Sequence, residues 1–267
     1  MASEQGTNQS VERAMAVLAT FLDGRGDLRV SDVAQRAGLG QSTASRLLAT
    51  LEQLDYVERD EVSSLYRLGP AVISLAGVAV NQHPVHREAR QRAQDLAGSL
   101  GLGANVAVRR GASLFYLCNF EGSLAPKSFT LLGQRNPLHA TGLGKCLLLG
   151  LSAEQRRELV PRLSRFTQHT ITEHDELDTA LEAVAARGYA TEHEELALGR
   201  ACVAAPVLDH TGSVVAALSI SGPLSAIDLA SREGELGRRV IEAADSISNG
   251  LGYIGPSHRT DPGEETP

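Results

Sequence analysis

Few residues in this sequence combine types and spacing that could do covalent or metal chemistry. Gly142-Leu143-Gly144-Lys145 has the ending of a phosphate-cradling loop. Such a loop also needs glycine at 139 and Ser or Thr at 146, so that amides wrap the phosphates and a hydroxyl reaches Mg²⁺. His139 and Cys146 stand there instead, and the run reads as a helix entry. Gly101-Leu102-Gly103 lacks the third glycine of a dinucleotide fingerprint. His83 and His86 lie three apart and His169 and His174 five apart, with no cysteine near either pair in sequence. They read as surface histidines, and no metal site is expected. Cys118, Cys146 and Cys202 are odd in number and far apart, which excludes a disulfide framework or a CxxC pair and fits a reducing cytoplasm. A Cys-His-acid nucleophile would have to be assembled by the fold, and no local signature supports one. No catalytic residue and no cofactor is expected.

The chemistry the sequence does support is binding. Ser219 and Ser221 alternate onto one face at the end of an apolar strand, where their hydroxyls can donate to a carboxylate or carbonyl. Cys202 opens the partner strand, Arg200 lies just before it, and Glu192 precedes both. Arg200 implies an anionic ligand if it faces a pocket and nothing if it faces solvent. A second polar cluster, Gln41, Ser42, Thr43, Ser45 and Arg46 with Thr50 further on, lies in a stretch with no acidic residue from Val33 to Leu51. On the N-terminal end of a helix, that set can meet base edges and phosphates in a DNA major groove. Arg59 and Arg67, at the base of an expected hairpin, suit flanking phosphates or the minor groove. With Ser31, these make the expected DNA-contacting set.

The elements that must position these groups follow from periodicity. Val11, Ala14, Met15, Leu18, Phe21 and Leu22 form one helical stripe after a Ser10 N-cap, stopped by Asp23-Gly24-Arg25-Gly26. Ser31 is expected to cap a short second helix burying Val33, Ala34 and Ala37. Gly38 supplies a positive-φ turn. A third helix, about 41–54, buries Ala44, Leu47, Leu48, Leu51 and Leu54. Tyr56–Arg59 and Leu65–Leu68 predict a hairpin. Pro70 opens a helix that is apolar almost all round and must be covered, most simply by another subunit. From Pro84 an amphipathic helix runs to about Leu100. Strands are expected at 105–109, 114–118, 127–132, 201–208 and 213–221, with Pro206 at an edge or bulge. Val214–Leu218 should be central, with helices on both sheet faces. Helices are expected from Thr141, at a Ser152–Gln155 capping box, around Leu177–Ala185 and over about 229–251.

A length of 267 residues predicts two domains. No run approaches the length of a membrane span, and the N-terminus lacks a signal-peptide pattern. The formal charge of −7 does not favour a nucleic-acid partner, so the DNA reading rests on local arrangement.

The runs Ser10–Leu18, Gln41–Leu51 and Tyr66–Gly69 resemble the N-terminal half of the IclR family of bacterial transcription regulators. Leu138–Lys145, Gly188-Tyr189-Ala190 before an acidic run, Ala204–Val207 and Ala217–Pro223 resemble its effector domain. The resemblance spans about Ser10 to Tyr253. It implies an α+β chain: an N-terminal winged helix-turn-helix, a connecting helix, and a GAF-like domain with a mostly antiparallel sheet flanked by helices. The expected boundaries are a disordered tail at 1–9, the DNA-binding domain at 10–69 (helix-turn-helix about 31–50), a linker helix at 70–83, the effector domain at 84–254 and a tail at 255–267. The resemblance further implies a dimer or tetramer on a pseudo-palindromic operator, switched by a small molecule. Glu192, Arg200, Cys202, Ser219 and Ser221, with the loop Ala140-Thr141-Gly142, match the family's ligand-contacting motif. Two departures stand out: Ser63-Ser64 where members often have a wing-tip glycine, and Glu192-His193-Glu194-Glu195 where the acidic run is usually led by aspartate. Two other readings remain: an enzyme or ligand store whose N-domain only assembles subunits, and a protein-interaction adaptor.

Overall fold

The computed structural model describes residues 8–22, 24, 26–126 and 130–255. The expected terminal tails, apart from Asn8, Gln9 and Gly255, lie outside that range. The chain divides into two compact units, 1–81 and 82–267.

In the first unit α1 spans Gln9–Ala19, and its N-cap is Asn8, whose side chain accepts from the Ser10 amide, rather than Ser10. The helix ends at Thr20, before the expected stop, of which Asp23 and Arg25 lie outside the described residues. The expected stripe also shifts. Val17 and Phe21 are buried, while Val11, Met15 and Leu22 are exposed. The second helix, α2 (Val30–Ala37), starts two residues early, with Arg29 as N-cap and the Asp32 carboxylate accepting from the Arg29 amide. Ser31 therefore sits inside the first turn instead of capping it. Gly38 closes α2 at φ +65°, a left-handed conformation that glycine adopts without steric cost, and the chain turns into α3 (Gln41–Gln53). Ala44, Leu48 and Leu51 bury α3; Leu54 falls past the helix end and is exposed. The hairpin forms as expected from β1 (Val57–Arg59) and β2 (Tyr66–Leu68), antiparallel with Glu58 opposite Arg67. Leu28 adds an antiparallel bridge to Tyr66. Val17, Phe21, Leu28, Val33, Leu48, Leu51, Val57 and Tyr66 form one core. The fourth helix, α4 (Pro70–Gln82), contains no buried residue.

In the second unit α5 (Pro84–Leu100) precedes β3 (Gly103–Arg110), β4 (Ser113–Phe120) and β5 (Arg135–Pro137). Of the strand expected at 127–132, residues 130–132 are loop and 127–129 lie outside the described residues; β5 lies further on. Next come α6 (Gly142–Leu148), α7 (Ala153–Leu159), α8 (His174–Arg187), β6 (Ala190–His193), β7 (Arg200–Leu208), β8 (Val214–Pro223), α9 (Leu224–Ile227) and α10 (Leu229–Gly250). The six strands run β5-β4-β3-β8-β7-β6, every neighbouring pair antiparallel.

Strand alternation sorts side chains onto two faces. Ala104, Val106 and Val108 of β3, Val203, Ala205 and Val207 of β7, and Ala216, Leu218 and Ile220 of β8 pack with α5 and α10. Ala107, Ala190, Ala204 and Ala217 face the opposite layer, with Leu143, Cys146 and Leu147 of α6 and Leu177, Leu181 and Val184 of α8. The small residues on this face let α6 approach closely. A Cβ on Gly142 would lie 2.9 Å from the Cys202 sulfur and 3.3 Å from the Ala204 Cβ, both on β7. Pro206 lies beyond the stretch of β7 that β6 pairs, so its missing N–H leaves no gap in that ladder.

Candidate functional site

In the first unit the polar end of α3 is open. Gln41, Ser42, Ser45, Arg46 and Thr50 are exposed and Thr43 half-buried. The first turn of α3 carries no acid, and its Gly40 N-cap provides no side-chain cap. Arg46 has no ion-pair partner among the described residues, and the Thr50 hydroxyl donates to its backbone oxygen at 3.1 Å. Ser31 is exposed on α2 and lies 3.4 Å from an Asp32 carboxylate oxygen. The wing arginines differ. The Arg59 guanidinium lies 5.8 Å from the Tyr66 ring centroid. Arg67 pairs with Glu58 at 2.9 Å, so part of its charge is already matched. At the wing tip the Asp60 carboxylate accepts from the Val62 and Ser63 amides and from the Ser63 hydroxyl, with Ser64 at φ +60°. Those bonds hold the Asp60 carboxyl below its ordinary value.

In the second unit a cavity of about 430 Å³ opens where the small-residue face of the sheet runs past α6. Register explains its composition. Glu192 pairs with Cys202 and Cys202 with Ser221, a row across three strands, and Ser219 pairs with Asn105 on the other side of β8. Thr141, Glu192, Arg200, Cys202, Ser219 and Ser221 all line this cavity. Ala140 and Gly142 are buried beside it without being among its lining residues. The close fit of Gly142 is against β7, where an added Cβ would lie 2.9 Å from the Cys202 sulfur. Thr141 caps α6, accepting from the Gly144 amide and donating to the Pro137 oxygen.

Two polar atoms of the lining are buried without a partner: the Asn105 Oδ1 and an Arg200 terminal guanidinium nitrogen (Nη2). The Asn105 amide nitrogen donates to Ser221 at 3.1 Å and Ser219 at 3.4 Å. Glu192 is saturated differently. One carboxylate oxygen accepts from the Glu195 and Leu196 amides at 2.7 and 3.2 Å, which pins the segment carrying Leu196, Ala197 and Arg200 along the cavity. Burial pushes its carboxyl above the ordinary value, against the pull of those two amides. Glu195 points away and meets Lys145 in a buried pair at 2.5 Å. Burial raises that carboxyl too, with Lys145 opposing.

Residues 77–249 match the family described as "Bacterial transcriptional regulator IclR C-terminal", and residues 10–61 match "IclR helix-turn-helix domain". The chain belongs to the IclR family. It is 31% identical to the HTH-type transcriptional regulator XynR of Escherichia coli (strain K12), over 92% of this chain and 98% of that protein. It is 35% identical to the HTH-type transcriptional repressor AllR of Klebsiella pneumoniae, over 94% and 92%. A solved IclR homologue from Microbacterium hydrocarbonoxydans, complexed with 4-hydroxybenzoate, superposes with a TM-score of 0.79 at 25% identity, covering 91% of this chain and 99% of that one. This IclR-type chain is thus a transcription regulator with a helix-turn-helix DNA-binding domain and an effector-binding C-terminal domain.

Sequence reasoning missed part of the IclR-type cavity. Asn105, Tyr116, Asn136, Leu131, Leu143 and Leu196 also line it. Asn105 carried a signal, being a polar residue within an apolar strand; Tyr116 and Asn136 arrive only through pairing of β4 with β5 and a 3.1 Å hydrogen bond between them. The three cysteines are buried. Burial pushes the Cys118 and Cys146 thiols up to about 12 and Cys202 well above its ordinary value, so all three are protonated and poorly nucleophilic. Among the described residues no cluster of His, Cys, Asp and Glu suits a metal ion, and no helix is long and apolar enough to cross a membrane.

Proposed function

We propose that the protein is a cytoplasmic, non-enzymatic repressor that binds a pseudo-palindromic operator as a dimer or tetramer and is switched by a small carboxylate. The observation that carries the ligand class is the buried, unpartnered guanidinium nitrogen of Arg200 in the cavity wall. An unmatched buried donor on a cation is costly, and a carboxylate matches it with a charge-assisted bond. Asn105 Oδ1, also unpartnered, asks for a hydroxyl or N–H on the same ligand. A hydroxy acid has both groups, and the homologue solved with 4-hydroxybenzoate holds a molecule of that kind. Thr141, Glu192, Cys202, Ser219 and Ser221 complete the contact set, with Ala140 and Gly142 shaping the α6 entry behind it.

The DNA face in this reading is Gln41, Ser42, Thr43, Ser45, Arg46 and Thr50 of α3, with Ser31, Arg59 and Arg67 on flanking phosphates. Its support is the open, acid-free end of α3. Residues 10–69 bind DNA, 70–83 link, and 84–254 bind effector. The relative named as a repressor supports repression. Ile73, 76% exposed on α4, with Leu75 and Val78, supports a subunit contact. The ligand acts by its difference in affinity between two arrangements of the DNA-binding domains.

The test is a gel shift on DNA upstream of the protein's own gene, at several salt concentrations, with and without 4-hydroxybenzoate and related hydroxy acids. A specific complex that a hydroxy acid releases is expected. If no specific complex forms at low salt with or without these acids, the reading fails. Arg200→Gln should keep the complex and lose the release.

A further inference from the structure

Tyr116 enters the effector cavity because β4 bulges. Val106 of β3 pairs with Cys118, but the next residue, Ala107, pairs with Tyr116, which leaves Leu117 as an extra residue in β4. Leu117 and Cys118 both pack on the α5–α10 side of the sheet, while Leu114 and Tyr116 lie on the α6 side. Without the extra residue, strict alternation from Cys118 would send Tyr116 to the α5–α10 side. A bulge of this kind re-aims a side chain. The residues level with Tyr116 on the next two strands, Ala107 and Ala217, are small and leave space for its ring above the sheet.

The hydroxyl that the bulge delivers is held from one side only. The Asn136 side-chain amide, on β5, donates to the Tyr116 hydroxyl oxygen at 3.1 Å, and among the described residues that hydroxyl has no other partner. Burial pushes the phenol up to about 12, so it keeps its proton at neutral pH. With Asn136 donating to its oxygen, the proton is the part left for a ligand. Tyr116 stands three strand spacings from β7 and Arg200, about 14 Å across the sheet. Its phenol feels the charges of Glu192 and Arg200 across the cavity. The unpartnered Asn105 Oδ1 lines the same cavity from the neighbouring strand, two residues from Ala107.

We infer that Tyr116 selects the ligand by its far end: an acid held at Arg200 must place an oxygen acceptor at the Tyr116 hydroxyl, so the cavity prefers a hydroxy acid whose hydroxyl lies opposite its carboxylate, para on a ring, over one with the two groups adjacent. This rests on the carboxylate reading of Arg200. A ligand hydroxyl at that end accepts from Tyr116 and donates to Asn105 Oδ1, which satisfies both with one group. A hydroxyl next to the carboxylate stays at the Arg200 end and leaves Tyr116 without an acceptor.

Isothermal titration of the full chain with 4-hydroxybenzoate, 2-hydroxybenzoate and benzoate tests this. In the wild type 4-hydroxybenzoate should bind about tenfold more tightly than benzoate, and 2-hydroxybenzoate should gain nothing over benzoate. Tyr116→Phe should remove the preference for the para-hydroxyl and leave benzoate affinity unchanged, whereas Arg200→Gln should weaken all three acids. The preference is a ratio of two ligands on one protein, so a general loosening of the cavity would not remove it. Tyr116→Phe is nearly isosteric, and circular dichroism should show it folded; Asn136→Ala, at a half-buried position, serves if it is not, and should shrink the same preference. A preference that survives these substitutions, or 2-hydroxybenzoate bound as tightly as 4-hydroxybenzoate, would overturn the proposal and leave the carboxylate reading standing. If none of the three acids binds, or Arg200→Gln weakens none, the carboxylate reading fails and the proposal fails with it.

Discussion

Arg46 and Glu192 show how one residue's surroundings set its task. Arg46 is exposed, free of any ion-pair partner among the described residues, and carried on the acid-free end of a helix. Its guanidinium can pair bidentately with guanine or grip phosphate. Arg46→Ala should reduce discrimination between operator and scrambled DNA by about 1–3 kcal/mol, read by competition gel shift; unchanged discrimination would remove Arg46 from base readout. Glu192 is buried, and its carboxyl is raised by that burial. Below its unfolded value near 4.5 both states are protonated and the stabilisation is complete. As pH climbs from there toward the raised folded value, the unfolded chain releases its proton first and stability falls. Thermal melts across that window should show a shallower decline for Glu192→Gln than for the wild type, with Glu195, also raised, supplying the remaining slope. Identical slopes would mean that the Glu192 carboxyl is not desolvated.

At the scale of elements, the fit of α6 against the turn that follows β5 holds Thr141 at the effector cavity. Gly144 lies against the Leu138 backbone, and a methyl group there would overlap main-chain atoms that cannot rotate away. Gly144→Ala should destabilise the second unit by about 3 kcal/mol in urea melts, mainly through overpacking. Gly98, in the interior of α5, has nothing within 4 Å of its would-be Cβ and no positive φ. Gly98→Ala should therefore stabilise by about 1 kcal/mol, through helix propensity alone. If both substitutions behaved alike, the close fit of α6 against the Leu138 turn would be wrong. The wing shows the same dependence on neighbours. The Glu58–Arg67 pair crosses the hairpin and takes up charge that its sequence position suggested was free for DNA.

For the whole molecule, the proposed assembly bears on both net charge and exposed apolar surface. A chain of charge −7 approaches DNA only through a local face, and two such faces on one operator add reach and specificity. Exposed Ile73, Leu75 and Val78 on α4, with Val11 and Met15 on α1, are the apolar surface such an assembly would cover. Ile73→Asp with Val78→Asp should shift the sedimentation mass toward the 28.3 kDa of one chain and weaken operator binding. A wild-type chain that sediments as a monomer at micromolar concentration would place that surface elsewhere in the protein's function.

Periodicity and turn chemistry alone determined most of the elements: α3 with its Gly38 turn, the β1–β2 hairpin, Pro70 and Pro84 as helix starts, the Ser152 capping box and the central β8. Each is a local signal, carried within about a dozen residues. The grouping of Glu192, Arg200, Cys202, Ser219 and Ser221 was legible through the family resemblance, and the antiparallel register of β6, β7 and β8 gives it a physical cause. Only the tertiary structure decided the rest. It left Val11, Met15, Leu22 and Leu54 outside a core that their spacing suggested they share, because burial depends on which neighbours arrive. It also brought Asn105, Tyr116 and Asn136 to the cavity and His83, Arg110 and His210 to one cleft. Those meetings join residues more than a hundred positions apart, such as His83 and His210, and strand order and helix docking set them, which no local pattern encodes.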